Sequence, residues 1–293
     1  MATAAQWIEG ARPRTLPTAI SPVLVGTGAA LGSGVVTPGR AVLALVVAMS
    51  LVIAVNYAND YSDGIRGTDD DRVGPLRLVG SKAAAPAQVK RAAFIGFGIA
   101  AVAGLTLVAI SEQWWLLVVG AVCILGAWFY TGGRKPYGYA GLGEVAVFLF
   151  FGPVAVLGTV ITQSGTPSPL AIVATVGVGL LTCAVLVANN LRDIPTDART
   201  GKRTLAVALG DADTRKLYAG LILVPLVLSV GAGTRSWPMF LGLLAVPLAV
   251  PPVRRVLQGA DGRKLVKVLQ ETGVVLLAWS VATAVGLALG RIV

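Results

Sequence analysis

Nine runs of apolar residues, most close to twenty long, alternate with shorter polar stretches along this chain. They lie near 18–36, 40–58, 92–110, 114–131, 143–163, 169–189, 217–233, 237–253 and 272–290. A helix needs roughly 20 apolar residues to cross the ~30 Å hydrocarbon core of a bilayer. Each run therefore predicts one membrane-spanning helix. The eighth is the weakest, interrupted by Pro247, Pro251 and Pro252, although neighbours in a bundle can satisfy the carbonyls that prolines free. Residues 1–16 are mixed, with Trp7, Ile8, Arg12 and Arg14, and predict an interfacial helix that enters the membrane at Pro17. The expected fold is an all-α polytopic membrane protein, nine transmembrane helices in one integral-membrane domain over 1–293.

Composition agrees with this pattern. The 293 residues are 55% hydrophobic and only 13% charged, against about 25% charged in soluble domains; mean hydropathy is +0.78. A net charge of +10 would suit nucleic acid in a soluble protein, but in a membrane protein basic residues mostly set topology. With the N-terminus in the cytoplasm and nine alternating spans, 21 of the 24 Lys and Arg fall on the cytoplasmic side; only Arg40, Arg235 and Arg291 fall outside. The chain is thus expected in the cell membrane with its C-terminus outside, no nucleic acid among its partners, and lipid all round. Trp114, Trp115 and Trp237 land at the outer interface, where indoles are enriched. The 36 glycines fit close helix packing in lipid. Glu9, Arg12 and Arg14 precede the first apolar run, with no small-residue cleavage pattern after it, so no cleaved leader is expected. Cys123 and Cys183 fall inside apolar runs and read as small packing residues. The chain has no histidine, which excludes His-based catalysis and most zinc sites.

Two polar clusters break the pattern. The second apolar run ends in Asn59-Asp60-Tyr61-Ser62-Asp63-Gly64-Ile65-Arg66-Gly67-Thr68-Asp69-Asp70-Asp71-Arg72, followed by Gly74-Pro75-Leu76-Arg77. The sixth ends in Asn189-Asn190-Leu191-Arg192-Asp193-Ile194-Pro195-Thr196-Asp197. Asn59, Asp63 and Gly67 make the same four-residue step as Asn189, Asp193 and Asp197, and residues four apart share a helix face. Pro195 is expected to end the second helix, which would take Asp197 off that face. Singly, such acids read as solvated loop residues or helix caps. As a matched pair ending two inward-running spans, they read as two halves of one divalent-cation site in two parallel four-helix repeats plus a ninth helix. Carboxylates at the end of a membrane-length segment need a compensating cation. Hard oxygen donors of this kind suit Mg²⁺, which takes few carboxylates and bridges to substrate phosphates.

Basic residues follow the acids: Arg72, Arg77 and Lys82 after the first cluster, Arg199, Lys202 and Arg203 after the second, and Arg134 and Lys135 between them. Many serve topology. Beside the acids, however, metal ions and cations together are what binds and draws away a diphosphate leaving group. With an apolar bundle behind them, the other end of such a substrate should be a long hydrocarbon. A third stretch, Tyr130-Thr131-Gly132-Gly133-Arg134-Lys135-Pro136-Tyr137-Gly138-Tyr139 to Glu144, is either an interfacial aromatic belt or a set of faces for a carbocation or an aromatic acceptor. Glu144 is either an acid at a helix start or a site residue.

These clusters resemble the UbiA-type intramembrane prenyltransferases, which carry Asn-x3-Asp-x3-Asp in one cytoplasmic loop and Asp-x3-Asp in another on a nine-helix bundle. The first motif departs from the pattern at Gly67, with Asp69 as the substitute; Asp193-x3-Asp197 is intact. Three further runs resemble the branch that prenylates 1,4-dihydroxy-2-naphthoate in menaquinone synthesis. They are Arg12-Pro13-Arg14-Thr15-Leu16-Pro17, the run from Gly67 to Arg77, and Tyr130 to Glu144 with Asn189 to Asp193. The resemblance implies Mg²⁺, with Mn²⁺ as a substitute, held by Asn59, Asp63, Asp69, Asn189, Asp193 and Asp197. It implies that Arg72, Arg77, Lys82, Arg134, Lys135 and Lys202 neutralise the departing diphosphate, and that Tyr130 and Tyr139 shield the allylic cation. Of these, Asp63, Asp193, Tyr130 and Arg134 are the expected catalytic residues. Arg14 is the expected partner of the acceptor carboxylate, with Arg134 and Lys135 as alternatives. Two rivals are an enzyme of the same family acting on 4-hydroxybenzoate or homogentisate, and an ion-coupled transporter. The transporter expects acids near the bilayer midplane, whereas these lie at the cytoplasmic ends of spans.

Overall fold

The computed structural model describes residues 2–67 and 76–290, and every described regular element is helical. The N-terminal segment holds α1 (Ala4–Gly10) and a 3₁₀ turn, Pro13–Thr15, before α2 (Pro17–Gly32). Then follow α3 (Pro38–Gly64), α4 (Pro86–Ser111) and α5 (Leu116–Phe129). After a 3₁₀ turn at Tyr137–Ala140 come α6 (Gly143–Leu149), a π-helical run (Phe150–Leu157) and α7 (Gly158–Ser164), which form one stacked span. The second half is α8 (Pro169–Arg199), α9 (Leu205–Gly233), a 3₁₀ run Trp237–Ala245 leading into α10 (Val246–Leu257), and α11 (Gly262–Leu289). Proline opens α2, α3, α4 and α8, where its missing N–H is no loss and its φ suits the helix. Inside the π-helical run Pro153 removes a donor, and the ladder shifts register around it.

Helical segments occupy each of the nine apolar stretches, yet seven of the described helices are long and apolar enough to cross a membrane. The number rises to eight if the N-terminal segment and α2, bent by 49° to one another, count as one span. The 14 residues of α5 make about 21 Å of helix, short of the ~30 Å core. Length and composition thus support fewer crossings than nine.

Large apolar side chains such as Val102, Val118 and Leu244 face outward, as lipid permits. The interior is built around α8, two thirds of whose apolar window is buried (67%). Backbones approach closely where residues are small. A Cβ on Gly28 of α2 would stand 2.4 Å from the Ala284 carbonyl of α11, so only glycine allows that contact. Buried hydroxyl and indole groups find partners across helices: Tyr218 with Thr272 at 2.7 Å, and Trp279 Nε1 donating to Ser229 Oγ at 3.0 Å. Pro195 does not end α8. The helix runs four residues past it to Arg199, losing one backbone hydrogen bond rather than its direction. Asn189, Asp193 and Asp197 therefore do share one face.

Candidate active site

The last two turns of α3 give four polar side chains four different tasks. Asn56 donates from Nδ2 to Ala11 O and Thr15 Oγ1, both at 3.0 Å, pinning the N-terminal segment to α3. Asn59 Oδ1 accepts from Thr131 Oγ1 at 2.7 Å. Asp60 accepts from the N–H groups of Leu78 and Val79 at 2.7 and 3.0 Å, so it anchors the returning loop. Asp63 accepts from the Tyr139 hydroxyl at 2.5 Å and faces Arg77 Nη2 at 3.6 Å. Gly67 lies beyond the helix with φ at +71° and offers no side-chain donor. Asp69 and Arg72 lie outside the described residues.

On α8 the second cluster is clamped by its own neighbour. Arg192 donates from Nε to one Asp193 oxygen at 2.7 Å and from Nη2 to the other at 2.9 Å, and Nη2 also reaches Asn189 Oδ1 at 2.8 Å. Asp197 pairs with Lys202 Nζ at 3.5 Å. The three aspartates, Asp63, Asp193 and Asp197, are 4%, 4% and 7% exposed, so their charges face protein rather than water.

The tyrosine stretch joins the halves. Tyr139 bonds Asp63 on α3, its carbonyl accepts from Arg203 N at 3.0 Å, and its ring lies 5.2 Å from Lys202 Nζ and 5.5 Å from the Arg66 guanidinium. Arg66 in turn donates to the carbonyls of Thr131 and Gly133. Tyr130 packs edge-on against Tyr137, ring centres 5.5 Å apart. Burial and the Cys123 thiol push Tyr137 up to about 12, and its hydroxyl donates to Gly126 O at 2.7 Å.

Asn59, Asn189 and Tyr130 border the mouth of a cavity of about 560 Å³ that runs down between α2, α3, α4, α5, the α6–α7 span and α8. Its walls are mostly apolar, aliphatic side chains with Phe150 and Phe151 among them, and it reaches Thr162 at the far end. There Arg40 ties the helix ends together, donating to Thr162 O at 3.0 Å and Ile110 O at 2.6 Å. Among the described residues one charged side chain lines this space: Arg12.

The expected basic residues divide. Arg77 and Lys202 stand beside the aspartates. Lys82, at φ +58°, is exposed, and so are Arg134, Lys135 and Arg14; none of these four lines the cavity. Glu144 sits in the first turn of α6 but is buried, Oε1 accepting from Asn190 at 3.0 Å and Oε2 without a partner. It lies behind the site rather than in it. Sequence reading missed Asn56, Asp60, Arg66 and the Arg192 clamp. Asn56-x3-Asp60 repeats the very step that marked Asn59-x3-Asp63, a signal that was present but unused.

Among the described residues no three acids or thiols stand close enough to hold a metal alone. The donor set is instead two half-sites of oxygen ligands, an Asn–Asp pair on α3 and Asn189, Asp193 and Asp197 on α8. That fits a hard cation that keeps waters and is completed by phosphate oxygens.

The pattern of the UbiA prenyltransferase family matches residues 19–289. The 1,4-dihydroxy-2-naphthoate octaprenyltransferase of Mycobacterium tuberculosis is 56% identical over 292 residues, spanning 100% of both chains. The protein of that name from Escherichia coli is 39% identical over 275 residues, 91% of this chain and 89% of that one. A solved UbiA homolog from Archaeoglobus fulgidus, bound to GPP and Mg²⁺, superposes with a TM-score of 0.65 at 14% identity, over 95% of this chain and 99% of its own. That likeness shows the shared helical fold.

Proposed function

The chain belongs to the UbiA prenyltransferase family, and from that premise we propose that it prenylates 1,4-dihydroxy-2-naphthoate. A polyprenyl group passes from its diphosphate to the ring carbon bearing the carboxylate, with loss of diphosphate and CO₂, giving demethylmenaquinol, the hydroquinone form of demethylmenaquinone. The observation that carries this reading is Tyr139, which links Asp63 on α3 to Lys202 and, through it, Asp197 on α8, next to the Asn59 and Asn189 positions that line an apolar cavity. The full-length identity to relatives named for that reaction supplies the acceptor.

Mg²⁺, or Mn²⁺ in its place, would be held by Asn59, Asp63, Asn189, Asp193 and Asp197, with Asp69 beyond the described residues, and would neutralise charge on the diphosphate. Arg77 and Lys202 pair with their aspartates at 3.6 and 3.5 Å, long enough to turn toward phosphate oxygens instead. Lys82 adds charge nearby, Arg134 and Lys135 serve the outer approach, and Arg72, beyond the described residues, would bring a further cation. The hydrocarbon tail occupies the aliphatic cavity. Tyr130 presents its ring in the cavity lining where the allylic C–O bond breaks, and Tyr139 orients Asp63. Ring attack forms the new C–C bond; the bond to the carboxylate then breaks and its electron pair restores the ring. Because CO₂ departs where other ring substitutions lose a proton, the attacked carbon needs no strong base, which suits a chain without histidine.

In this reading the 1–293 domain makes nine crossings, with α2 and the short α5 completing the set, and the first eight form two four-helix repeats. The site faces the cytoplasm, the N-terminus lies inside and the C-terminus outside, as the basic residues are distributed. Cysteine labelling within Gln163–Ser168 should find that loop outside; finding it on the same side as Arg134 would overturn the orientation. The acceptor is tested with purified protein, a defined polyprenyl diphosphate and three acceptors. Dihydroxynaphthoate is expected to be consumed; use of 4-hydroxybenzoate or homogentisate in its place would move the chain to another acceptor class.

A further inference from the structure

We infer that Arg12, and not Arg14, is the acceptor-binding residue that receives the naphthoate carboxylate; this rests on the function proposed above. The cavity that Asn59 and Asn189 both line has a single charged side chain in its wall among the described residues, that of Arg12. An aromatic ring with a carboxylate needs apolar walls and one cation near its edge. Thr15, Asn56 and Tyr130 line the same space and add hydroxyl, amide and aromatic surfaces. The other cations are placed for different work. Arg77, Lys202 and Arg192 stand on the aspartates, while Arg14, Arg134 and Lys135 are exposed and off the cavity lining.

The backbone shows that Arg12 is held there deliberately by its surroundings. It adopts φ 56°, ψ 68°, the left-handed region that non-glycine residues enter only when their surroundings hold them there. The turn persists because several contacts fix it from both sides. Asn56 holds Ala11 O and Thr15 Oγ1, and Thr15 Oγ1 also donates to Arg12 O at 2.9 Å. Upstream, the Tyr57 hydroxyl donates to Trp7 O at 2.8 Å and Leu76 N donates to Glu9 Oε1 at 3.2 Å. Asp60, four residues after Asn56, accepts from the Leu78 and Val79 N–H groups and also feels the Arg12 charge, so it helps hold Arg12 beside the cavity. A right-handed residue at position 12 would send the chain, and the guanidinium, elsewhere. Two arginines two positions apart are thereby sorted: one into the cavity, one to the surface.

The test uses the full-length protein with Arg12→Gly and Arg12→Lys. Glycine accepts the left-handed turn without strain, so it removes the side chain while favouring the observed backbone. The KM for dihydroxynaphthoate is expected to rise about 30-fold or more in Arg12→Gly, with the prenyl diphosphate KM changed by less than about threefold. Arg12→Lys should recover part of the loss. Inhibition by 1,4-dihydroxynaphthalene, which lacks the carboxylate, should be the same in parent and Arg12→Gly. An unchanged acceptor KM, a rise confined to the diphosphate, or equal weakening of the carboxylate-free inhibitor would each overturn the assignment. Should the parent protein not use dihydroxynaphthoate at all, the proposed function fails first, and that result is distinct from these.

Discussion

Asp63→Asn is expected to lower turnover by about three orders of magnitude, comparable to removing an essential charge-stabilising group, while the protein stays folded. The substitution is nearly isosteric, and an amide oxygen can still accept from the Tyr139 hydroxyl that now reaches Asp63 at 2.5 Å. Arg77 faces Asp63 at 3.6 Å with both side chains buried, so losing that longer pair lowers the unfolding temperature without unfolding the protein. What disappears is the negative charge of the α3 half-site, and with it the grip on a divalent ion that must carry the diphosphate. Initial rates at saturating substrates, with thermal unfolding in detergent alongside, give the answer. A near-parental rate that still requires metal would remove Asp63 from the ligands.

Asp193→Asn should behave differently, losing stability as well as activity. Its carboxylate accepts two bonds from Arg192, with side-chain exposures of 3% and 4% for the pair. Removing one partner leaves a buried guanidinium facing a neutral amide, a loss of about 3–5 kcal/mol when a buried pair is broken. Asn189 Oδ1, at 2.8 Å, softens this without replacing the charge. Adding Arg192→Leu removes the stranded cation, so the double variant is expected to regain much of the unfolding stability and none of the turnover. If Asp193→Asn unfolds like the parent, the clamp is not the buried pair described. If the double variant recovers turnover, Asp193 is not part of the metal half-site.

The contrast between these aspartates is one the sequence could not supply. Both stand four residues after an asparagine at the end of an apolar run, and period alone makes them equivalent. Their partners come from different places, Arg192 from the preceding residue and Tyr139 from a turn 76 residues away, and the second of these contacts has no local signature. The apolar runs themselves were legible because helical spans need length and hydrophobicity together. Helix length was less legible: α5 takes only 14 residues of a longer apolar stretch, because helix ends follow local backbone geometry that hydropathy ignores. Pro195 looked like a terminus because proline is read as a breaker; neighbours of a buried helix can satisfy the one carbonyl it frees. Arg12 and Arg14 carry the same charge and flank one proline. Only a positive φ, fixed by Asn56 from another helix, separates them.

The most direct test is a count of carbon dioxide. Purified protein is given polyprenyl diphosphate, Mg²⁺ and dihydroxynaphthoate labelled in its carboxyl carbon, and released CO₂ and diphosphate are measured together. Prenylation at the carboxylated carbon predicts one CO₂ for each diphosphate, with no label in the prenylated product. Diphosphate release with the label retained in that product would contradict it.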